Sequence, residues 1–209
     1  MDTSEAVKHV LAHQIEGDFV ECGVGCGRHP KVMCDLLNQA NRQDITIWMY
    51  DTFGGLTQPS EHDFTRVDAT LYQMSNSQVV SYWQKEKVDD SVNKWCYDPL
   101  DQVKAYVEAS KYPTDKLRYI VGDVCKTLQD PANLPEKIAL LRLDTDWYES
   151  SKVELEVLYD RVPSGGVIIL DDYFHWDGQR KATDDFLAAR NIQVKVDKYS
   201  ANVGSFIKP

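Results

Sequence analysis

Two acidic doublets carry the plainest chemical signal in the chain: Asp144 and Asp146 in "LLRLDTDWYESS", and Asp171 and Asp172 in "GVIILDDYFHW". Each follows a near-continuous apolar run of the kind that forms a strand buried on both faces. If those strands are parallel neighbours, ~4.8 Å apart, their carboxyl ends share one edge of a sheet. Carboxylates converging there repel one another unless they are protonated or bound to a cation, and a hard divalent ion such as Mg2+ or Ca2+ suits oxygen donors. Capping of the following helices is the competing use of Asp at such positions. Two doublets at successive strand ends favour a site. Side chains alternate along a strand, so Asp171 and Asp172 point to one place only if the chain has already bent there.

The stretch "FVECGVGCGRHP", residues 19–30, offers two chemistries. Cys22, Cys26 and His29 have soft-ligand spacing, but a cluster loop needs a third cysteine where His29 stands, and Cys22 falls inside a strand run as a small buried hydrophobe. Glu21, Gly23, Gly25 and Gly27 instead form an E-x-G-x-G-x-G loop after a strand, where open α/β sheets bind ligands. Asp51, in "WMYDTFGG", ends the next strand and suits a ribose diol, with capping of its own turn as the alternative. The loop lacks G-x-G-x-x-G, and no helix is expected to start tightly on it to receive a pyrophosphate. Glu21 would repel a diphosphate but suits a sulfonium, which points to S-adenosylmethionine.

Other residues carry weaker signals. Trp147 and Tyr148 are acceptor-lining or simply core aromatics. Tyr173, His175 and Trp176 fall on an expected loop, where His175 either assists deprotonation or is a surface histidine. Arg142 lies within a buried strand and is expected to pair with a carboxylate. Cys96 and Tyr97 are expected to pack.

These side chains need a scaffold, and the chain supplies one. Strand-like runs begin at Asp18, Ile45, Leu117, Ile138 and Gly166, with helices expected at Met1 to Gly17, Pro30 to Asn41, Leu100 to Lys111, Ser150 to Tyr159 and Lys181 to Arg190. That alternation predicts a doubly wound, mostly parallel sheet with right-handed crossovers. "QVKVDKY" and "GSFIKP" are too close for a helix between them and predict an antiparallel hairpin at one edge. With 209 residues, a single domain over 1–209 is expected, carrying an insertion at 57–98. Phe64, Leu71, Tyr72, Met74, Val79, Val80, Tyr82 and Trp83 make that insertion too apolar for a solvated loop, so it is expected to act as a lid. A net charge of −10 argues against nucleic-acid or anionic-membrane partners. No apolar run approaches a membrane span, and five irregular cysteines suit a reducing compartment, so a cytoplasmic protein is expected.

"GDFVECGV", "YDTFGGLTQP", "WCYDPLDQVK", "LRLDTDWYES", "VPSGGVIILDDY" and "GQRKATDDF", in this order, resemble the macrocin-type O-methyltransferases, which include the mycinamicin and novobiocin methylating enzymes. The resemblance covers about Gly17 to Phe186 and departs from the family pattern at Gly25, Cys26 and Arg28. It implies a class I methyltransferase (Rossmann-like) fold, S-adenosylmethionine and Mg2+. By position, Glu21, Gly23, Gly25, Asp51, Thr52, Asp123 and Asp144 would bind the cofactor. Asp144, Asp171 and Asp172 would hold the metal, with Asp144 also the catalytic base. The expected function is Mg2+-dependent methylation of a hydroxyl on a sugar-containing or phenolic small molecule, with a homodimer as the candidate assembly. An NAD-linked oxidoreductase and a non-catalytic S-adenosylmethionine-binding relative are the alternatives.

Overall fold

Phe19 and Val20 are neighbours in sequence but are buried in different places, and the same is true of Met49 and Tyr50, Leu140 and Leu141, and Ile168 and Ile169. Alternation along each strand sends one member of the pair to each face of a central sheet. Both faces are covered, which is why the strands read as unbroken apolar runs. The computed structural model describes residues 1–69 and 71–209.

Helix α1 (Thr3–Ala12) opens with a capping box between Asp2 and Glu5. There follow β1 (Asp18–Cys22), α2 (Arg28–Gln39), β2 (Ile47–Asp51), α3 (Asn76–Glu86) and α4 (Leu100–Glu108). Then come β3 (Leu117–Val121), α5 (Val124–Thr127), β4 (Ile138–Leu143), α6 (Tyr148–Leu158), β5 (Val167–Leu170), α7 (Asp177–Ala189), β6 (Asp197–Lys198) and β7 (Gly204–Ile207). The described strands form one sheet in the order β3-β2-β1-β4-β5-β7-β6. β1 to β5 are parallel, and β7 runs antiparallel to both β5 and β6. The strand order reverses between β1 and β4, the point at which such sheets open a ligand crevice.

The expected mostly parallel sheet and terminal hairpin are both present. Several boundaries differ. α2 begins at Arg28, directly on Gly27, so a helix does start on the glycine loop, contrary to expectation. Gly27 makes this possible by taking φ +83° at the N-cap, where its missing Cβ leaves room for Val107. α6 and α7 start earlier than expected, at Tyr148 and Asp177, while α4 ends at Glu108. The expected strand "QVKVDKY" is ladder-paired only at Asp197–Lys198. Its partner β7 takes the interior place, paired along its length with β5.

The insertion at 57–98 contains α3 and is tied to the domain. Val79 packs with Trp147 and Trp176, supported by Leu56, Met74 and Trp95. Thr65 bridges to Trp176, and Trp147 Nε1 donates to the Thr57 carbonyl at 2.9 Å. Asp63 is fully buried: it accepts from Ser60 N and Ser60 Oγ, and from Tyr148 N, the first amide of α6.

Candidate functional site

β1 and β2 end side by side, and the loops leaving them are held by one carboxylate. Asp51 Oδ2 accepts from Val24 N at 2.7 Å and Gly25 N at 3.1 Å, while Oδ1 accepts from Phe53 N at 2.7 Å. Burial pushes the Asp51 pKa up, and these amide bonds pull against it. Asp51 therefore does cap its own turn, and it also lines the cavity. Gly23, at φ +81°, passes so close to the end of β4 that an added Cβ would lie 1.9 Å from the Asp144 carbonyl oxygen. Gly25, by contrast, borders open space: an added Cβ there would meet only Asp98 Oδ2, at 3.8 Å. Thr52 Oγ donates to the Gly55 carbonyl at 2.6 Å and accepts from Gly54 N at 3.0 Å. Asp123 caps α5 through Cys125 N at 3.0 Å.

Glu21 departs from expectation. It does not line the cavity but lies fully buried beneath it, its Oε1 3.1 Å from Arg142 Nε. Register places the two directly opposite each other on β1 and β4. Burial raises the Glu21 carboxyl to about 8, with the Arg142 charge opposing and Asp171 and Asp51 adding to the rise. It is placed against Arg142 rather than in the cavity lining. The soft-ligand alternative finds no support: Cys22 is buried, and His29 Nδ1 is 2.9 Å from the Thr3 hydroxyl.

Asp144, Asp171 and Asp172 each bring a carboxylate oxygen to within 4.8 Å of the others. Asp171 and Asp172 can both do so because β5 ends at Leu170 and the chain turns there. Gln179 of α7, itself fully buried, ties the two strand ends together: Oε1 accepts from Asp172 N at 2.8 Å and Nε2 donates to the Leu143 carbonyl at 3.3 Å. Arg142 runs under the cluster, with Nη2 2.6 Å from Asp171 and 3.1 Å from Asp144. Burial disfavours the guanidinium charge, yet Asp144, Glu21 and Asp171 together hold its pKa above the ordinary value. One cation among five acids is a deficit. Burial and then the neighbouring carboxylates push Asp144, Asp146 and Asp172 upward, with Arg142 opposing the rise at Asp144 and Asp172.

Asp146 also lines the cavity, at φ +67°, a conformation that Asp tolerates better than most residues. His175 is not on the surface: it is 2% exposed, faces the same cavity, and burial lowers its pKa. Cys96, expected to pack, borders the cavity instead, at φ +56°. Trp147 is core: it is 2% exposed and stacks edge-on with Trp95 and Trp176. Tyr72, Trp95 and Trp176 wall one side of a cavity of about 310 Å³. Gly23, Gly25, Asp51, Thr52 and Asp123 lie in its lining with Asp144, Asp171 and Asp172, so one space joins the expected cofactor and metal residues. Gln179 and Asn202 are not picked out by the sequence, whereas Tyr72 is, as one of the apolar residues of the expected lid. Gln179 lies within the motif "GQRKATDDF", but its role depends on where α7 docks.

The family model described as Macrocin-O-methyltransferase matches residues 1–207. Among curated proteins, the chain is 29% identical over 188 residues to a demethyldecarbamoylnovobiocin O-methyltransferase of Streptomyces niveus, covering 90% of this chain and 64% of that protein. It is 31% identical over 180 residues to an 8-demethyl-8-(2,3-dimethoxy-alpha-L-rhamnosyl)-tetracenomycin-C 4'-O-methyltransferase of Streptomyces olivaceus, covering 86% and 61%. The chain thus spans less than two thirds of the length of these relatives. Among solved structures, the O-methyltransferase NovP superposes with a TM-score of 0.81 at 23% identity, over 99% of this chain and 77% of that one. The calicheamicin methyltransferase CalS11 gives 0.69 at 19%, over 98% and 77%, so both share the fold.

Proposed function

The chain belongs to the macrocin O-methyltransferase family, and on that premise we propose that it transfers a methyl group from S-adenosylmethionine to a hydroxyl of a sugar-bearing or phenolic small molecule. The observation that carries this reading is the single cavity lined by the glycine loop, Asp51 and Asp123 together with Asp144, Asp171 and Asp172. The relatives named above, which act on natural products, support the acceptor class.

Asp51 would accept from a ribose hydroxyl, while its bonds to the Val24 and Gly25 amides hold the glycine loop beside the donor. Asp123 and Thr52 close that end of the cavity. Glu21 would act from below by holding Arg142 under the acidic cluster rather than by touching the donor.

The three converging carboxylates fit Mg2+: all donors are hard oxygens, and Arg142 neutralises only part of their charge. Asp144, Asp171 and Asp172 would hold the ion, which when bound would lower the pKa of an acceptor hydroxyl. Transfer breaks the donor's sulfur–methyl bond, forms an oxygen–methyl bond and leaves the hydroxyl proton to be taken up by a carboxylate. Asp144 is the base in this reading. A second reading gives that proton to Asp146, because it lines the cavity yet stands outside the converging triad, and a carboxylate not shared with a cation is the stronger base. Most of the acceleration would come from holding donor and acceptor in line. The insertion at 57–98 would cover the acceptor.

The test is S-adenosylhomocysteine release with demethyldecarbamoylnovobiocin and the rhamnosyl-tetracenomycin acceptor. Turnover should vanish with EDTA and return with Mg2+. Full turnover after exhaustive chelation would refute the metal assignment.

A further inference from the structure

His175 is placed with care and then left idle. Its backbone N–H donates to the Asp172 carbonyl at 2.8 Å, and its own carbonyl accepts from Arg66 N at 2.9 Å, so the turn after β5 and the insertion fix it together. The ring stands edge-on to Tyr72 and Trp176, with centroids 4.8 Å and 4.9 Å away. Both ring nitrogens are buried without a hydrogen-bond partner among the described residues, although the side chain lines the cavity. The nitrogens also lie outside the converging group of carboxylate oxygens, so the ring is not a fourth member of that cluster. Asn202, in the turn between β6 and β7, brings a second unpartnered atom, Oδ1, to the same cavity. Buried polar groups left without partners call for an explanation, and a ligand supplies one.

We propose that His175 determines acceptor specificity by binding a second hydroxyl of the acceptor, distinct from the one methylated, with Asn202 Oδ1 as a further acceptor of hydrogen bonds. This rests on the methyltransferase reading above. A neutral imidazole offers one donor and one acceptor, which a hydroxyl matches on both counts, whereas the carboxylates of the cluster only accept when ionised. The ligand class is a polyhydroxylated ring seated against Tyr72 and Trp176. A pocket built to pair a hydroxyl discriminates against an analogue lacking it, because the protein's own groups then stay unpaired.

The experiment uses the full chain loaded with S-adenosylhomocysteine and Mg2+, and measures binding of methyl α-L-rhamnopyranoside and of p-cresol by calorimetry and saturation-transfer NMR. His175→Phe should weaken the rhamnoside by about tenfold and leave p-cresol, S-adenosylhomocysteine affinity and melting temperature unchanged. His175→Asn, which restores a donor and an acceptor, should recover part of the loss. If the Phe variant does not fold, His175→Leu serves for the same comparison. Rhamnoside binding undiminished in the variant, or absent from wild-type protein that binds S-adenosylhomocysteine, overturns the proposal. Wild-type protein that fails to bind S-adenosylhomocysteine at all overturns the methyltransferase reading and this proposal with it.

Discussion

At the scale of single residues, the carboxylates divide by what they touch. Asp144 and Asp171 are each paired with Arg142, so removing either loses an ion pair as well as relieving like-charge repulsion. The sequence suggests that Arg142 pairs with a carboxylate, but nothing in the spacing says that Asp144 and Asp171 share it. Asp144→Asn is therefore expected to abolish Mg2+ binding in calorimetry. Asp146→Asn should leave Mg2+ binding within about threefold if Asp146 is the base, yet lower turnover at least 100-fold. Equal loss of metal binding in both variants would put Asp146 among the ligands. Gln179→Leu should weaken Mg2+ binding by about 10-fold with S-adenosylhomocysteine affinity unchanged, since it frees the Asp172 amide without touching Asp51. The doublets, Asp51 and the glycines were legible because each ends an apolar run. Gln179, Asn202 and the burial of His175 were not, because they are set by how α7, the hairpin and the insertion dock.

At the scale of elements, α6 carries a buried acid against β4. Glu154 is fully buried, and its Oε1 accepts from the Thr145 hydroxyl at 2.8 Å. Burial raises its pKa from 4.5 to about 8, opposed by that hydrogen bond and aided by Asp123. A folded pKa above the unfolded one means the native state holds the proton more tightly. Its stabilising contribution is full below pH 4.5 and is lost progressively as pH rises towards about 8. The slope is at most about 1.4 kcal/mol per pH unit for one such group. Glu154→Gln should flatten this part of the stability profile in urea melts between pH 5 and 8, leaving the share of Glu21; an unchanged profile would place the proton elsewhere. The insertion, read as a lid from its apolar content, is anchored at Asp63 and Trp176. Asp63→Ala should destabilise the protein by about 1–3 kcal/mol, because the first amide of α6 loses its partner. Hydrogen exchange should then rise in α3 before it rises in the sheet. Periodicity could not reveal this anchoring: Asp63 reads as one more surface acid until its partners from other elements are in place.

At the scale of the whole molecule, the parallel sheet and its reversed hairpin bring two independent clusters to one edge. β1, β2 and β3 deliver the glycine loop, Asp51 and Asp123, while β4 and β5 deliver the acidic cluster. The alternation of strands and helices made this architecture readable, since helical crossovers join parallel strands and parallel strands end at one edge of the sheet. The interior place of β7 was not readable, because either strand of a terminal hairpin can pair with the edge of β5 and the spacing does not choose between them. The central claim is that the two clusters form one site for a methyl donor and a metal. Titration calorimetry of S-adenosylhomocysteine into the full chain, with and without Mg2+, tests it most directly. One site per chain with an affinity on the order of micromolar, lost in Asp51→Ala, is the predicted result; no binding heat at millimolar ligand would contradict it.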